Sequence, residues 1–159
     1  VSDKVAGFVT FYAKTLAVPG RRNMGAQSVR HGAELFNETG CAACHTPRHQ
    51  TGEVADRPDL SNQTIWPYTD LLLHDMGPAL ADGRDEFLAS GNEWRTQPLW
   101  GIGLAQAVNP QAGFLHDGRA RTLEEAILWH GGEAQPAADR YRQMPAGDRQ
   151  ALIDFLNSL

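Results

Sequence analysis

The sequence has few cysteines, no surplus of basic residues and no long apolar run, and each shortage excludes a class of protein. Fourteen Lys and Arg stand against nineteen Asp and Glu, for a net charge of −5. With no basic cluster beyond Arg21-Arg22, we expect no binding of nucleic acid. No apolar run reaches the roughly 20 residues that a transmembrane helix needs, so we expect no transmembrane helix. The N-terminus carries no signal-peptide pattern, so we expect a mature protein or an excised domain.

The only two cysteines, Cys41 and Cys44, are followed directly by His45. A structural zinc site needs four ligands, and no second cysteine pair provides them. A thioredoxin-type redox disulfide needs a βαβ setting, which the sequence does not indicate. A structural disulfide closing so short a loop removes little entropy from the unfolded chain. The pattern Cys-x-x-Cys-His favours covalent attachment of one haem c, with Cys41 and Cys44 bonded to its vinyl groups and His45 on the iron.

The periodicity of apolar residues predicts helices near the two ends of the chain and ahead of the cysteines. We predict four main helices and one short one, over residues 3–16, 28–38, 123–130, 148–158 and 67–75. Ser2 is the N-cap of the first, and Thr122 with Glu125 forms a capping box before the third. The loops are rich in Gly, Pro and polar residues. We therefore expect one all-α domain over residues 1–159, with long ordered loops around a bound group and an N-terminal helix and linker at 1–25.

Several short segments resemble cytochromes c. Gly32 and Phe36 are similar to the Gly/aromatic pair of the N-terminal helix in that family. The resemblance implies a cytochrome c-like fold in which this helix crosses the C-terminal one, against Leu152, Phe155 and Leu156. Arg57-Pro58-Asp59-Leu60 is similar to the Gly-Pro-x-Leu segment of the family, with Arg57 in place of glycine. It implies that Pro58 and Leu60 belong to the haem pocket, and that the Pro58 carbonyl accepts the Nδ1 hydrogen of the proximal histidine.

Longer segments narrow the resemblance to di-haem proteins. "LLLHDMGPALADG", "EWRTQPLWGIG" and "FLHDGRARTLEEAILWHGGEA" resemble the C-terminal half of the di-haem thiol-oxidoreductase group, which is related to bacterial di-haem cytochrome c peroxidases and MauG-like proteins. The similarity covers nearly the whole chain. Those proteins carry two haem motifs and this chain has one. The resemblance therefore implies a second haem domain, or another redox protein, as the partner.

The residue on the iron face opposite His45 decides the chemistry. The candidates are Met24, Met76, Met144, His31, His49, His74, His116 and His130. Met76 lies in a loop bounded by Gly-Pro, where the alternative role is an apolar gap-filler. In the di-haem peroxidases the distal ligand of the C-terminal haem lies fourteen residues after the histidine of His-Asp-Gly. From His116 this offset leads to His130, so the resemblance favours His130 and leaves Met76 as the alternative.

Other polar and aromatic residues are predicted to surround the haem. Arg95, Arg119 and Arg121 are suited to pair with haem propionates. The resemblance implies that His116 lies in a turn beside the haem and is not a ligand. His74 and Asp75 are candidates for a propionate or inter-haem contact. The four tryptophans are expected in the core or the haem wall (Trp66, Trp94, Trp100 and Trp129).

These observations predict a periplasmic electron-transfer domain with six-coordinate, bis-histidine haem iron, forming one half of a di-haem oxidoreductase. The periplasm is expected because haem is attached to cysteines on the outer side of the bacterial inner membrane. Three alternatives stay open. One is an enzyme that reduces peroxide or oxidises a substrate at an open distal site. The others are a haem-based sensor of small ligands and a mono-haem cytochrome c with His/Met ligation.

Overall fold

The computed structural model describes residues 1–159 and contains both helices and short strands. The α-helices are α1 (Asp3–Thr15), α2 (Gln27–Glu38), α3 (Ala105–Val108), α4 (Leu123–Trp129), α5 (Gln135–Gln143) and α6 (Ala146–Ser158). Three 3-10 turns span Cys41–Ala43, Ile102–Leu104 and Gly132–Ala134. The strands are β1 (His49–Gln50), β2 (Thr64–Ile65), β3 (Leu73–Asp75) and β4 (Glu93–Arg95). None of the helices is long and apolar enough to span a membrane.

The prediction of an all-α fold is wrong. Helix accounts for 42% of the residues, and β1 with β2 and β3 with β4 form two antiparallel sheets. The short helix predicted over 67–75 is replaced by β3, in which His74 pairs with Trp94 of β4. Each strand has only two or three residues, too few for an alternating pattern to be recognised. Pairing with a distant segment decides their conformation.

The crossing of α2 and α6 forms the centre of the molecule, as the resemblance to cytochromes c implied. Gly32 lets the two helices meet at backbone distance, because a Cβ there would lie 1.9 Å from the Ala151 carbonyl oxygen. Phe36 of α2 lies 5.2 Å from Phe155 of α6, measured between ring centres. Both side chains are buried, with Leu152 and Leu156 beside them. Helix–helix burial of this kind is the main source of helix stability in a folded protein.

Helix α4 begins after its predicted N-cap, Thr122, although Glu125 accepts from the Arg121 amide and not from the Thr122 amide of a capping box, and it leads into the unpredicted helix α5. The Thr122 hydroxyl accepts a hydrogen bond from the Glu125 amide at 3.0 Å. Leu123 and Ala126 face the core. The sequence signal for α5 is Pro136 at its first turn, a position that tolerates proline because the amide there needs no helical partner. Tyr141 of α5 is buried.

Helix α1 forms where the periodicity predicts it, yet none of its side chains is buried. The Ser2 side chain accepts from the Val5 amide at 3.5 Å, so the predicted N-cap is confirmed. The apolar stripe, however, remains exposed, with Phe8 at 63% and Tyr12 at 66%. The pattern therefore predicted the helix correctly and did not determine what covers it.

Candidate haem site

The two cysteines lie on a tight turn that directly follows α2. Gly40 ends the helix with φ +89°, a left-handed conformation that favours glycine, and begins the 3-10 turn Cys41–Ala43. The His45 amide then donates to the Cys41 carbonyl at 2.9 Å. This local geometry presents Cys41, Cys44 and His45 on one short turn, as haem c attachment requires.

The environment of the thiols is unlike that of a redox dithiol. Cys41 and Cys44 are free cysteines. Burial raises the pKa of the Cys41 thiol to about 11, and burial also raises the pKa of Cys44. A reactive redox cysteine needs the opposite shift, because the thiolate is the nucleophile. These surroundings therefore speak against a thioredoxin-type role.

His45 is held by a backbone carbonyl, but not by the one that the resemblance indicated. Its Nδ1 donates to the Tyr68 carbonyl at 3.0 Å, whereas Pro58 is exposed in the loop before Leu60. The Thr69 amide donates to Thr46, which keeps Tyr68 beside the motif. The prediction that the Pro58 carbonyl is the acceptor is therefore wrong.

His130 is the C-cap residue of α4 and is oriented in a similar way. Its Nδ1 donates to the Ala126 carbonyl at 2.7 Å. Burial lowers the pKa of His130, and burial lowers that of His45 to about 4. Both imidazoles are therefore neutral at ordinary pH, which is the form that binds a metal. In each ring the bond from Nδ1 leaves Nε2 available for coordination.

The two imidazoles lie next to each other although 85 residues separate them in the sequence. Their ring centres are 6.4 Å apart, with the ring planes inclined by 51°. A metal–imidazole nitrogen bond is about 2 Å long, so two rings sharing one metal have centres roughly 6 Å apart. The donor set and its spacing fit haem: Nε2 of His45 and Nε2 of His130 would hold its iron, and Cys41 and Cys44 would anchor it. A haem held there supplies one-electron chemistry.

Met76, the alternative distal residue, follows β3 and approaches the segment after His130. A Cβ at Gly131 would lie 2.9 Å from the Met76 carbonyl oxygen, and one at Gly132 would lie 2.1 Å from the Asp75 carbonyl oxygen. The close approach requires glycine at both positions. The backbone of Met76 therefore packs closely against the segment that follows His130.

Three polar side chains beside Cys44 form a connected group, which we call the clasp (Asp70, His74 and Glu133). His74 Nε2 lies 2.9 Å from Asp70 Oδ2, and His74 Nδ1 lies 2.9 Å from Glu133 Oε2. The hydrogen bond to Glu133, followed by the one to Asp70, raises the pKa of His74. Only His74 of this group was singled out from the sequence.

The arginines predicted to bind propionates already have protein partners. Arg119 Nε lies 2.6 Å from Asp117 Oδ2, and its guanidinium lies 5.0 Å from the centre of the Trp129 ring. Arg95 Nη2 donates to Gln97 Oε1 at 3.4 Å. Arg121 is exposed and pairs with Glu125. The propionate roles stay predictions.

His116 and the tryptophans lie mostly on partly exposed surfaces. The His116 ring stacks on Trp94 with centres 3.5 Å apart, and the Trp94 indole donates to the Leu80 carbonyl at 3.1 Å. No tryptophan belongs to the buried core, and Trp66 is 51% exposed. Of the two predicted locations, the structure excludes the core, and the haem wall stays a prediction.

Tyr68, Asp70 and Glu133 are the site residues that sequence reasoning missed. Tyr68 acts through its carbonyl oxygen, which any residue type possesses, so its identity carries no signal. Glu133 follows His130 by three residues but meets His74, 59 positions earlier in the chain. A single sequence does not reveal such a pair.

Comparison with known families agrees with the geometry of the site. A family model described as "Di-haem oxidoreductase, putative peroxidase" matches residues 1–159. The chain belongs to the di-haem oxidoreductase family. Membership of this family supports haem as the cofactor and oxidoreduction as the class of chemistry. Neither the curated proteins nor the solved structures compared with the chain gave a match.

Proposed function

We propose that this chain is a c-type haem electron-transfer domain in which His45 and His130 are the two axial ligands of one iron. Cys41 and Cys44 attach the haem covalently. Two protein side chains on the iron would leave it no open position for peroxide. In this proposal the domain transfers electrons, and the reaction with a substrate takes place at a different redox centre.

The observation that carries the proposal is the spacing of the two imidazoles. Their centres are 6.4 Å apart, and each Nδ1 donates to a backbone carbonyl. These hydrogen bonds fix the tautomer of each imidazole, hold the orientation of the ring and make its Nε2 a stronger electron-pair donor to a metal. Two imidazoles stabilise oxidised iron better than an imidazole and a thioether do, so we expect a lower reduction potential than for His/Met ligation.

Optical and EPR spectra of the oxidised holoprotein test this function. We expect low-spin iron and no reaction with peroxide. Cyanide should bind slowly, at a rate that stops rising with cyanide concentration, because His130 must leave first. A high-spin spectrum with rapid peroxide reduction would instead support the peroxidase function that the family description names.

A His45/Met76 pair is the second candidate, because the backbone of Met76 lies against Gly131, the neighbour of His130. The two ligand sets differ in the far-red band that methionine-to-iron charge transfer produces. We expect no such band in the oxidised protein. Its presence would replace His130 by Met76 in the proposal.

Location and partners follow from the same proposal. Covalent attachment of haem to two cysteines takes place outside the bacterial inner membrane, so we propose a periplasmic protein. The family is di-haem, and this chain has one Cys-x-x-Cys-His motif. We propose a second haem domain, or a separate redox protein, as its electron partner. Fractionation of cells that produce the natural protein would test the compartment.

A further inference from the structure

A line of polar contacts joins the segment that carries His45 to the segment that carries His130. The Asp70 amide donates to the Cys44 carbonyl at 2.8 Å, next to His45. The Asp70 carboxylate bonds His74, and His74 bonds Glu133, both at 2.9 Å. Glu133 lies three residues after His130. The clasp thus crosses between the two sides of the candidate haem site.

Glu133 is anchored twice, which makes it more than a single surface ion pair. One carboxylate oxygen meets His74 Nδ1, and the other accepts from the Asp75 amide at 3.0 Å. His74 and Asp75 belong to β3, which β4 holds in place. A carboxylate that accepts two bonds from one rigid strand has a defined position.

The two residues between His130 and Glu133 are glycines, which have no side chain that could bond to β3. Helix α4 has seven residues and ends at Trp129, so His130 lies between α4 and the 3-10 turn Gly132–Ala134. Gly131 and Gly132 follow, and Gly132 has φ +53°. Two glycines confer freedom that something else must restrict. The side-chain bonds that join this stretch to β3 are made by Glu133.

We propose that Glu133 is a positioning residue that, through His74 and Asp75, keeps His130 within reach of the iron. The inference rests on the bis-histidine ligation proposed above. Without the Glu133 carboxylate, the His130 segment would separate from β3 more often, and the position on the iron that His130 occupies would open more often. Asp70 and His74 are 13% and 17% exposed, so the inner bond of the clasp is shielded from water. Glu133 is 56% exposed, which limits the size of its contribution.

Glu133→Gln tests the proposal in the oxidised holoprotein, with cyanide as the probe. The substitution keeps the size of the side chain and removes its charge. We expect the limiting rate of cyanide binding to rise about fivefold, the upper end of what the loss of one partly exposed ion pair allows. Hydrogen exchange of residues 128–135 should accelerate in parallel, a readout that needs no activity.

Glu125→Gln is the matched control at the other end of α4. Glu125 also accepts from a backbone amide, that of Arg121 at 2.9 Å, and has an arginine partner, but it lies outside the clasp. We expect its cyanide rate to stay within about twofold of the original protein, because its bonds lie at the start of α4 and not between the His130 segment and β3. His74→Gln, as a second variant, should reproduce the effect of Glu133→Gln. Thermal unfolding of all three variants reports general destabilisation.

The outcomes separate the positioning role from the ligation on which it rests. A high-spin original protein, or one with the methionine band, would overturn the bis-histidine assignment and this inference together. A low-spin original protein whose Glu133→Gln and His74→Gln variants bind cyanide no faster than Glu125→Gln would overturn the positioning role alone. Equal rises in the variants and the control would do the same, since they would indicate general loosening.

Discussion

At the scale of single residues, burial favours the neutral form of His45 and His130, which is the form that a metal binds. Burial lowers the pKa of both imidazoles, so neither carries a proton that a metal would have to displace. The carbonyls of Tyr68 and Ala126 take the Nδ1 hydrogens. The role of each histidine therefore depends as much on a backbone acceptor as on the ring itself.

Removal of the distal imidazole should open the iron. We expect His130→Ala to convert the oxidised protein from low spin to high spin and to accelerate cyanide binding by more than about tenfold, since a whole ligand is lost. Stopped-flow absorbance and EPR measure both effects. Met76→Leu is the control, with an expected change of less than about twofold. A variant at His130 that stays low-spin while Met76→Leu becomes high-spin would reverse the assignment.

His31 gives a pH dependence away from the haem. The hydrogen bond to Asp148, 2.9 Å from His31 Nε2, is the main cause that raises the pKa of His31 above 6.5, and Glu34 adds to it. A raised folded pKa means that this stabilisation is complete below pH 6.5 and is lost as pH rises through the folded value.

We therefore expect the urea midpoint of the original protein to exceed that of His31→Gln at about pH 5.5, and the gap to shrink at about pH 9. Circular dichroism during urea titration measures it. A gap that does not change with pH would show that the ion pair contributes nothing.

At the scale of elements, the α2–α6 crossing depends on one missing side chain. A Cβ at position 32 would lie too close to the Ala151 carbonyl oxygen and only 2.7 Å from the Phe155 Cβ. Because the obstacle is backbone, a larger residue has to push the helices apart. Phe36, one turn later, would then lose its contact with Phe155.

Gly32→Ala should destabilise the protein by about 3 kcal/mol or more, at the upper end of the cost of overpacking. Gly147→Ala in α6 is the control, because nothing lies within 4 Å of a Cβ there. It should be neutral or stabilise by up to about 1 kcal/mol through helix propensity. Chemical denaturation of both variants measures the two changes in stability. Equal stabilities would contradict the close crossing.

At the scale of the whole molecule, the proposed haem would link parts of the chain that are far apart. The proposed ligands come from the turn after α2 and from the end of α4, and the clasp adds the segment from Asp70 to β3. A ligand that binds only the folded state of a protein stabilises that state. Haem attachment should therefore stabilise α2, α4 and β3 together.

Covalent attachment has a direct test, because the chain has no cysteine besides Cys41 and Cys44. Cys41→Ser and Cys44→Ser should each keep the haem through one remaining bond, and the double variant should lose it to acidified acetone. Haem staining on denaturing gels and pyridine haemochrome spectra measure this. A double variant that keeps covalent haem would contradict attachment at these residues.

The sequence alone predicted the haem, which membership of the family supports, and the main helices. Cys-x-x-Cys-His is local, and a few adjacent residues carry it. The helices α1, α2, α4 and α6 follow from periodicity and caps, which are also local. The family resemblance pointed to His130, and the tertiary structure then brought its ring to 6.4 Å from that of His45.

Only the tertiary structure decided the carbonyl that holds His45, the two small sheets and the clasp. Tyr68 replaces the expected Pro58 because its segment is tied to Thr46 by a backbone bond. Strands of two or three residues form because a distant partner is present. His74 and Glu133 meet across 59 positions. Contacts of this kind depend on chain path and backbone geometry, and a single sequence carries no local pattern for either.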